Sequence, residues 1–432
     1  MLKLNSYNPS KKDGIPEFIT RRRKTLSHKY ELFYGDPLIP ETGAGAWIKD
    51  AGGQRYLDAY NNVVSVGHAN SRVAEAIARQ TSRFCSHTRY VNDDLCRLSE
   101  RLHSKHASGR WRSIFTCSGS EANDLAMRIA MEITGGNGFI VTDHAYHGLT
   151  GMTQSVTTSM QGYAHLAQRL GLAIFPVPAP CPSEPGPQRF LAGIQEALSS
   201  MRAQGIVFAG AIFDSFFTSD GLAVAPEGFL RQATDTLRRH NGLVIADEVQ
   251  PGFGRSGTHF WGFQVHDVEP DLITMGKPMG NGYPTAALLL QERLDDYIPD
   301  SYFNTFAGNN VAVAAAHAVL DEIEERDLMG NVRQQSQIIG EGLRRLMTDY
   351  PEISDVRVKG LAIALDISAE DGTPDEISAL RIVDAMKERR VLISTSGKAG
   401  NTLKIRPLLI YRCDDSEFLL HQLDASLQSV LR

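Results

Sequence analysis

Two segments put ionisable side chains where apolar runs end. In Leu272-Ile273-Thr274-Met275-Gly276-Lys277-Pro278-Met279-Gly280 an apolar stretch stops at a glycine, and a lysine follows. Thirty positions upstream, Gly242-Leu243-Val244-Ile245-Ala246-Asp247-Glu248-Val249-Gln250 ends in the same way on two carboxylates. Both runs have the length and composition of buried strands, so Lys277 and Asp247 are expected at strand ends. A lysine between apolar residues and glycines is poorly solvated, which disfavours its ammonium form and leaves a nucleophilic amine. Such an amine can form a Schiff base with an aldehyde, and a buried carboxylate can pair with a protonated ring nitrogen. Those are the two demands of pyridoxal 5'-phosphate, whose ring then acts as an electron sink. Taken singly the residues say less. Lys277 could be a surface lysine. Asp247 and Glu248 could be an acid/base pair or metal ligands, although no His or Cys at metal-ligand spacing joins them.

Three further segments supply chemistry of the same kind. Ser113-Ile114-Phe115-Thr116-Cys117 runs into Ser118-Gly119-Ser120-Glu121, a strand followed by a helix start with capping-box spacing between Ser118 and Glu121. Gly119 allows close backbone approach, and the free N–H groups of a helix N-terminus attract phosphate. By itself the segment could be only a helix cap. In Asp143-His144-Ala145-Tyr146-His147-Gly148 the tyrosine could stack on a planar ring or simply pack in a loop. In Leu403-Lys404-Ile405-Arg406-Pro407, Arg406 could grip a carboxylate in bidentate fashion or form a surface ion pair. What they share is position: each lies at a strand end or in the loop after one, where open α/β sheets bind ligands.

The elements that must hold these residues follow from periodicity. Strands are expected at 113–117, 138–142, 172–176, 209–214, 242–247, 272–275 and 285–289, and helices at 72–83, 94–106 and 311–325. Several strands are continuously apolar, as in a mainly parallel sheet covered on both faces. Residues 46–58 read as a hairpin about Gly52-Gly53. Residues 1–45 read as an N-terminal arm, and the proline-rich stretch 176–187 as a surface loop. Beyond about residue 330 the order becomes helix, strand 355–366, helix 377–389, strands 391–394 and 402–405, and helix 415–431. The fold class is therefore α/β: a large domain with a mainly parallel seven-stranded sheet, and a smaller α+β domain. The expected division is 1–68 (arm and part of the small domain), 69–317 (large domain) and 318–432 (C-terminal small domain).

Composition narrows the partners. A chain of 432 residues, 42% hydrophobic, can bury one large core and a smaller one. A formal net charge of −6 argues against a polyanion-binding protein. The basic run Arg21-Arg22-Arg23-Lys24 has no interleaved aromatics and reads as a solvated helix face, so neither nucleic acid nor membrane is an expected partner. No apolar run approaches the ~18 residues of a membrane span. The five cysteines are odd in number and lack C-x-x-C spacing, which suits a reducing compartment. Met1-Leu2-Lys3-Leu4-Asn5-Ser6-Tyr7 has no apolar signal core, so a cytoplasmic location is expected.

From about residue 30 onward the chain resembles the class III pyridoxal-phosphate-dependent aminotransferases, which have the type I fold. The most specific stretch runs from Ala246-Asp247-Glu248-Val249-Gln250-Pro251-Gly252-Phe253-Gly254-Arg255-Ser256-Gly257 through Lys277. The resemblance implies Lys277 as the Schiff-base lysine and Asp247 as the pyridine partner. Val249 and Tyr146 would face the two sides of the ring, Gln250 would sit near the ring hydroxyl, and Gly119 and Ser120 would take the phosphate. Ser118 and His147 complete the expected cofactor contacts. Phe303-Asn304-Thr305-Phe306-Ala307-Gly308-Asn309 is similar to the family segment whose threonine reaches the other subunit's cofactor phosphate. Thr305 thus implies a homodimer with composite active sites, and Arg406 matches the carboxylate-binding arginine.

Tyr60-Asn61-Asn62-Val63, Gly67-His68, Thr88-Arg89-Tyr90 and Gly262-Phe263 are similar to the branch holding alanine–glyoxylate aminotransferase 2-like proteins and ethanolamine-phosphate phospho-lyases. The implied activity is transfer of an amino group from an amine or omega-amino compound to a 2-oxo acid. The alternative is a phospho-lyase acting on a phosphorylated amino alcohol such as ethanolamine phosphate. Lysine is the residue of those lyases where this chain has Arg406, which favours transamination. Two departures stand out. His68-Ala69-Asn70-Ser71 replaces the branch's His-x-His-Pro, and Asp214-Ser215-Phe216-Phe217-Thr218-Ser219 replaces Glu-Pro-x-Gln-Gly-Glu. Ser219 cannot mask Arg406, so the arginine is expected to swing outward or pair with Asp220. Phe216 and Phe217 are expected to make the substrate pocket apolar.

Overall fold

The computed structural model describes residues 17–106, 109–180, 186–223, 228–298 and 301–432. Its centre is a seven-stranded sheet in the order Trp111–Thr116, Ala286–Gln291, Leu272–Met275, Leu243–Asp247, Phe208–Asp214, Gly138–Thr142, Ala173–Val177. Ala286–Gln291 runs antiparallel to both of its neighbours. The pairings from Leu272–Met275 outward to Ala173–Val177 are parallel. Gly138–Thr142 and Leu243–Asp247 are buried at every position, as their continuous apolar sequences require of strands covered on both faces. One face packs on the Gly119–Thr134 helix through Leu125, Met127 and Ile129. The other packs on Phe190, Ile194 and Leu198 of the Gly186–Ala203 helix and on Leu237 of Phe229–Arg239.

The remaining strands form two smaller sheets. Pro40–Ala44, Trp47–Asp50 and Arg55–Asp58 continue into Val391–Leu392, which pairs in parallel with Arg55–Asp58 and so ties the early chain to the late one. The other sheet is ordered Ile353–Lys359, Ala362–Ile367, Thr402–Ile405, Ser394–Ser396. The basic run lies on the Glu17–Thr25 helix, near its C-terminal end, where cations oppose the negative end of the helix dipole.

Three expectations are corrected. The strand expected at 355–366 is a hairpin that reverses at Gly360, whose φ of 60° suits glycine. A Cβ there would lie 2.1 Å from Arg255 O, so backbone packing also demands glycine. The strand expected at 391–394 is divided between two sheets, Val391–Leu392 in one and Ser394–Ser396 in the other. The proline-rich stretch is not loop throughout. Pro176 and Val177 pair with Val141 and Thr142 at the sheet edge, where a missing N–H is tolerated, and Gly186-Pro187 opens a helix. Residues 181–185, like 1–16 of the expected arm, lie outside the described residues.

Candidate active site

Lys277 follows directly from the Leu272–Met275 strand. Gly276 is extended and packs on the Gly119 backbone, where an added Cβ would meet Gly119 N at 3.2 Å. Lys277 itself adopts a φ of 25°, outside the comfortable range for an L-residue, and begins the short helical turn Lys277–Gly280. Burial pushes its ammonium below the ordinary lysine range; Asp247 opposes that shift, and Arg406 adds to it. The result is an amine biased toward its neutral, nucleophilic form.

Asp247 ends the adjacent strand and is buried. Its Oδ2 receives Asn123 Nδ2 at 2.9 Å and contacts His147 Nδ1 at 2.8 Å, and its Oδ1 accepts Val249 N at 3.1 Å. Glu248 serves differently. It is fully buried and accepts hydrogen bonds from the Ser215 hydroxyl and from Gly262 N and Phe263 N. Burial raises its carboxyl to about 8. Of the two carboxylates, Asp247 faces the cavity and Glu248 anchors a loop.

The anion cup is the start of the Gly119–Thr134 helix. Ser118 Oγ caps it by accepting Glu121 N at 3.3 Å, and Glu121 Oε2 reaches back to Cys117 N at 2.7 Å. Gly119 and Ser120 are the first helical residues, whose N–H groups have no acceptor within the helix. Two glycines shape the cup. A Cβ on Gly119 would come within 2.7 Å of Val249 Cγ2, and one on Gly148 within 2.4 Å of Ser120 Oγ.

Ser118, Gly119, Ser120, Tyr146, His147, Asp247, Val249, Gln250 and Lys277 all line one cavity of about 280 Å³. Pyridoxal phosphate fits this donor set. The lining brings together helix N-terminal N–H donors, a carboxylate, an aromatic ring and an apolar side chain that could flank a planar ring, and a poorly solvated lysine. Asn123, Asp214 and Thr285, which are not among the residues expected there, line the cavity too. Asn123 carried a signal: it is a polar residue on the buried face formed by Ala122, Leu125 and Ala126.

Arg406 departs from expectation. It neither swings outward nor pairs with Asp220. It is buried, donates to Gln250 Oε1 at 2.8 Å and lies over the Tyr60 ring at 5.0 Å from the centroid. Its Nε is buried without a hydrogen-bond partner among the described residues. Asp220 instead receives the Thr142 hydroxyl at 2.8 Å and His144 N at 3.2 Å. Gln250 is therefore engaged by the arginine as well as lining the cavity. Lys404, two residues before Arg406 at the end of the Thr402–Ile405 strand, brings a second basic side chain close to it. Burial, with Arg406 nearby, drives its ammonium well below the ordinary range.

Phe216 and Phe217 do not line the cavity. Phe216 packs with Leu222, Val265, Ala362 and Ala364, and Phe217 with Phe190 and Phe213. Both are core residues here. Thr305 is exposed and lies outside the cavity of its own chain. Its segment is tethered near the cup, with Asn304 Nδ2 to Glu121 Oε2 at 3.2 Å and the Tyr302 hydroxyl to Phe115 O at 3.0 Å.

A mixed seven-stranded sheet with ligand-facing groups at its strand ends, joined to smaller sheets, is the architecture of the type I pyridoxal-phosphate enzymes. The class III aminotransferase family model matches residues 34–427, and the chain belongs to that family, whose members are pyridoxal-phosphate enzymes. It is 32% identical over 434 residues to an alanine–glyoxylate aminotransferase 2-like protein of Drosophila melanogaster, covering 94% of this chain and 85% of the relative. It is 30% identical over 431 residues to ethanolamine-phosphate phospho-lyase homolog 1 of Caenorhabditis elegans, covering 91% and 90%. Among solved structures it resembles an Arthrobacter phospholyase in complex with phosphoethanolamine. The TM-score is 0.91 at 38% identity, covering 96% of this chain and all of the other. No helix among the described residues is long and apolar enough to cross a membrane.

Proposed function

We propose that this protein transfers an amino group from an amine or omega-amino compound to a 2-oxo acid, using pyridoxal 5'-phosphate carried on Lys277. The observation that carries the reading is the meeting of Lys277, Asp247 and the Ser118–Ser120 cup in one cavity. When bound, the cofactor supplies the aldehyde for the covalent link and the ring that withdraws electrons. The protein supplies the rest. Gly119 and Ser120 would hold the phosphate, Asp247 would accept from the ring nitrogen, and Tyr146 and Val249 would confine the ring. Released when the donor amine takes its place on the cofactor, the Lys277 amine would take a proton from the substrate carbon and return it to another position, acting as base and then as acid. Arg406, buried beside Gln250 and Tyr60, is the cation for the acceptor's carboxylate.

The working unit in this reading is a homodimer with Thr305 completing the neighbouring site. Exposed Phe84, Tyr90, Val91, Tyr302, Phe303 and Phe306 support it, because a monomer gains nothing from leaving so many large apolar side chains in water. We also divide the chain at 1–68, 69–317 and 318–432, and assign it to the cytoplasm, in keeping with its four described free cysteines. A panel of amines offered with pyruvate, glyoxylate or 2-oxoglutarate tests the function. At least one pair should give the amino acid of its 2-oxo acid, and Lys277→Ala should give none.

A specific observation favours a second reading, a phospho-lyase. Lys404 and Arg406 put two basic side chains on one face at the end of the Thr402–Ile405 strand, and neither forms a salt bridge among the described residues, although Asp214 acts on both. A phosphate monoester carries nearly two negative charges and matches that face better than a single carboxylate. The likeness to the Arthrobacter phospholyase points the same way. Release of phosphate from O-phosphoethanolamine, with no amino acid formed from any 2-oxo acid, would establish this reading over transamination.

A further inference from the structure

Asn123 holds together three parts of the cavity that come from different elements. It lies in the Gly119–Thr134 helix, one turn beyond the cup, and is only 1% exposed. Its Nδ2 donates to Asp247 Oδ2 at 2.9 Å and to the backbone carbonyl of His147 at 2.9 Å. Its Oδ1 accepts the Thr274 hydroxyl at 2.5 Å. Thr274 is the ladder partner of Asp247 on the neighbouring strand. The helix that carries the cup, the loop that carries Tyr146 and His147, and the strand end that carries Asp247 thus converge on one amide.

The orientation of that amide is fixed by chemistry. The Asp247 carboxylate and the His147 carbonyl can only accept, so the NH₂ group must face both and the oxygen must face Thr274. An ionised carboxylate has about four acceptor positions. On Asp247, Asn123 and His147 occupy Oδ2 and Val249 N occupies one position on Oδ1. The remaining position is on Oδ1, in a carboxylate that lines the cavity. Without Asn123 the carboxylate keeps only His147 Nδ1 and Val249 N as partners and is less firmly oriented, and the His147 backbone loses its tie to the Gly119–Thr134 helix.

We infer that Asn123 is a positioning residue that aims Asp247 at the ring N–H of the bound cofactor while Thr274 locks the orientation of its amide. The inference rests on the pyridoxal-phosphate reading above. It concerns how the carboxylate is held, so it can be tested by binding to the apoprotein as well as by turnover. A cofactor analogue with carbon in place of the ring nitrogen separates positioning from a general structural role, because it offers Asp247 no N–H.

The experiment titrates pyridoxal phosphate and its deaza analogue onto apoprotein of the wild type, Asn123→Ala and Thr274→Val. Asn123→Ala should bind pyridoxal phosphate about tenfold more weakly, the scale of losing one hydrogen bond to a charged group. Its affinity for the deaza analogue should stay within about twofold of wild type. Thr274→Val leaves the amide in place but unlocked, so it should show the same selectivity with a smaller loss. It also keeps the test open if Asn123→Ala fails to fold. The pH midpoint of the bound cofactor's visible band should move in Asn123→Ala, and a purely structural residue would leave it in place. Equal losses for the two ligands, or no loss for either, would overturn the inference. If wild-type protein binds neither ligand, the cofactor reading itself has failed, and the inference fails with it.

Discussion

Replacing Arg406 by alanine should separate the two halves of the reaction. Arg406 is 8% exposed, has a buried Nε without a hydrogen-bond partner among the described residues, and forms no described ion pair. Its known contacts are neutral: Gln250 Oε1 and the Tyr60 ring. Asp58 and Asp214 act on it only through space, without a salt bridge, so the buried cation is poised for a direct anionic partner, and a 2-oxo acid brings one. Removing one member of a buried, hydrogen-bonded charge pair costs about 2–5 kcal/mol, or roughly 30-fold to several-thousand-fold in affinity. The loss should fall on the 2-oxo acid. A donor amine without a carboxylate makes no such pair and should lose less than about tenfold, from the changed packing of Gln250 and Tyr60. The assay follows the bound cofactor's absorbance by stopped flow, with amine alone and then with 2-oxo acid alone. Equal losses in the two half-reactions would refute the carboxylate role, because a general disturbance of the site would affect both alike.

Three further outcomes are expected. Asp247→Asn should stay folded but slow turnover by roughly 10²–10³-fold, the worth of one well-placed electrostatic group; steady-state kinetics within a few-fold of wild type would contradict the role given to the carboxylate. Lys277 in apoprotein should react with an amine reagent at a pH midpoint below the ordinary 10.5, because burial disfavours its charge. Asp247→Asn removes the group that opposes this shift, so the midpoint should fall further. Since the folded lysine binds its proton less tightly than the unfolded one, its contribution to stability should rise with pH between the two midpoints. Finally, Phe306→Asp should weaken dimerisation and Thr305→Ala should weaken cofactor binding in an intact dimer, read by analytical ultracentrifugation and by cofactor titration; a fully active monomer would rule out composite sites.

Much of the site was legible because its chemistry falls where apolar runs stop. Asp247 and Lys277 end strands buried at every position, and those strands announce themselves by continuous apolar composition. The cup was legible from Ser118-Gly119-Ser120-Glu121, since capping is local. What escaped depends on tertiary contact. Polar and apolar residues alternate from Asp355 to Lys359 and the run Leu361–Leu365 is continuously apolar, yet only the strand pairing shows that the chain reverses at Gly360 between them. Ile393 lies where the chain passes from one sheet to another, a change that no local pattern encodes. The fate of Phe216 and Phe217 turned on backbone direction: Phe217 has a φ of 52°, which helps turn the pair into the core. Arg406 was expected to be mobile because Ser219 lacks a carboxylate. Gln250 and Tyr60, distant in sequence, hold it instead.

The most direct test of the account is to find the lysine that carries the cofactor. Holoprotein reduced with borohydride fixes the cofactor to its amine, and peptide mapping by mass spectrometry then reads the position. The account predicts a single modified peptide bearing the label on Lys277, and no label in Lys277→Ala. A label on Lys404 or any other lysine, or none in the wild type, would contradict it.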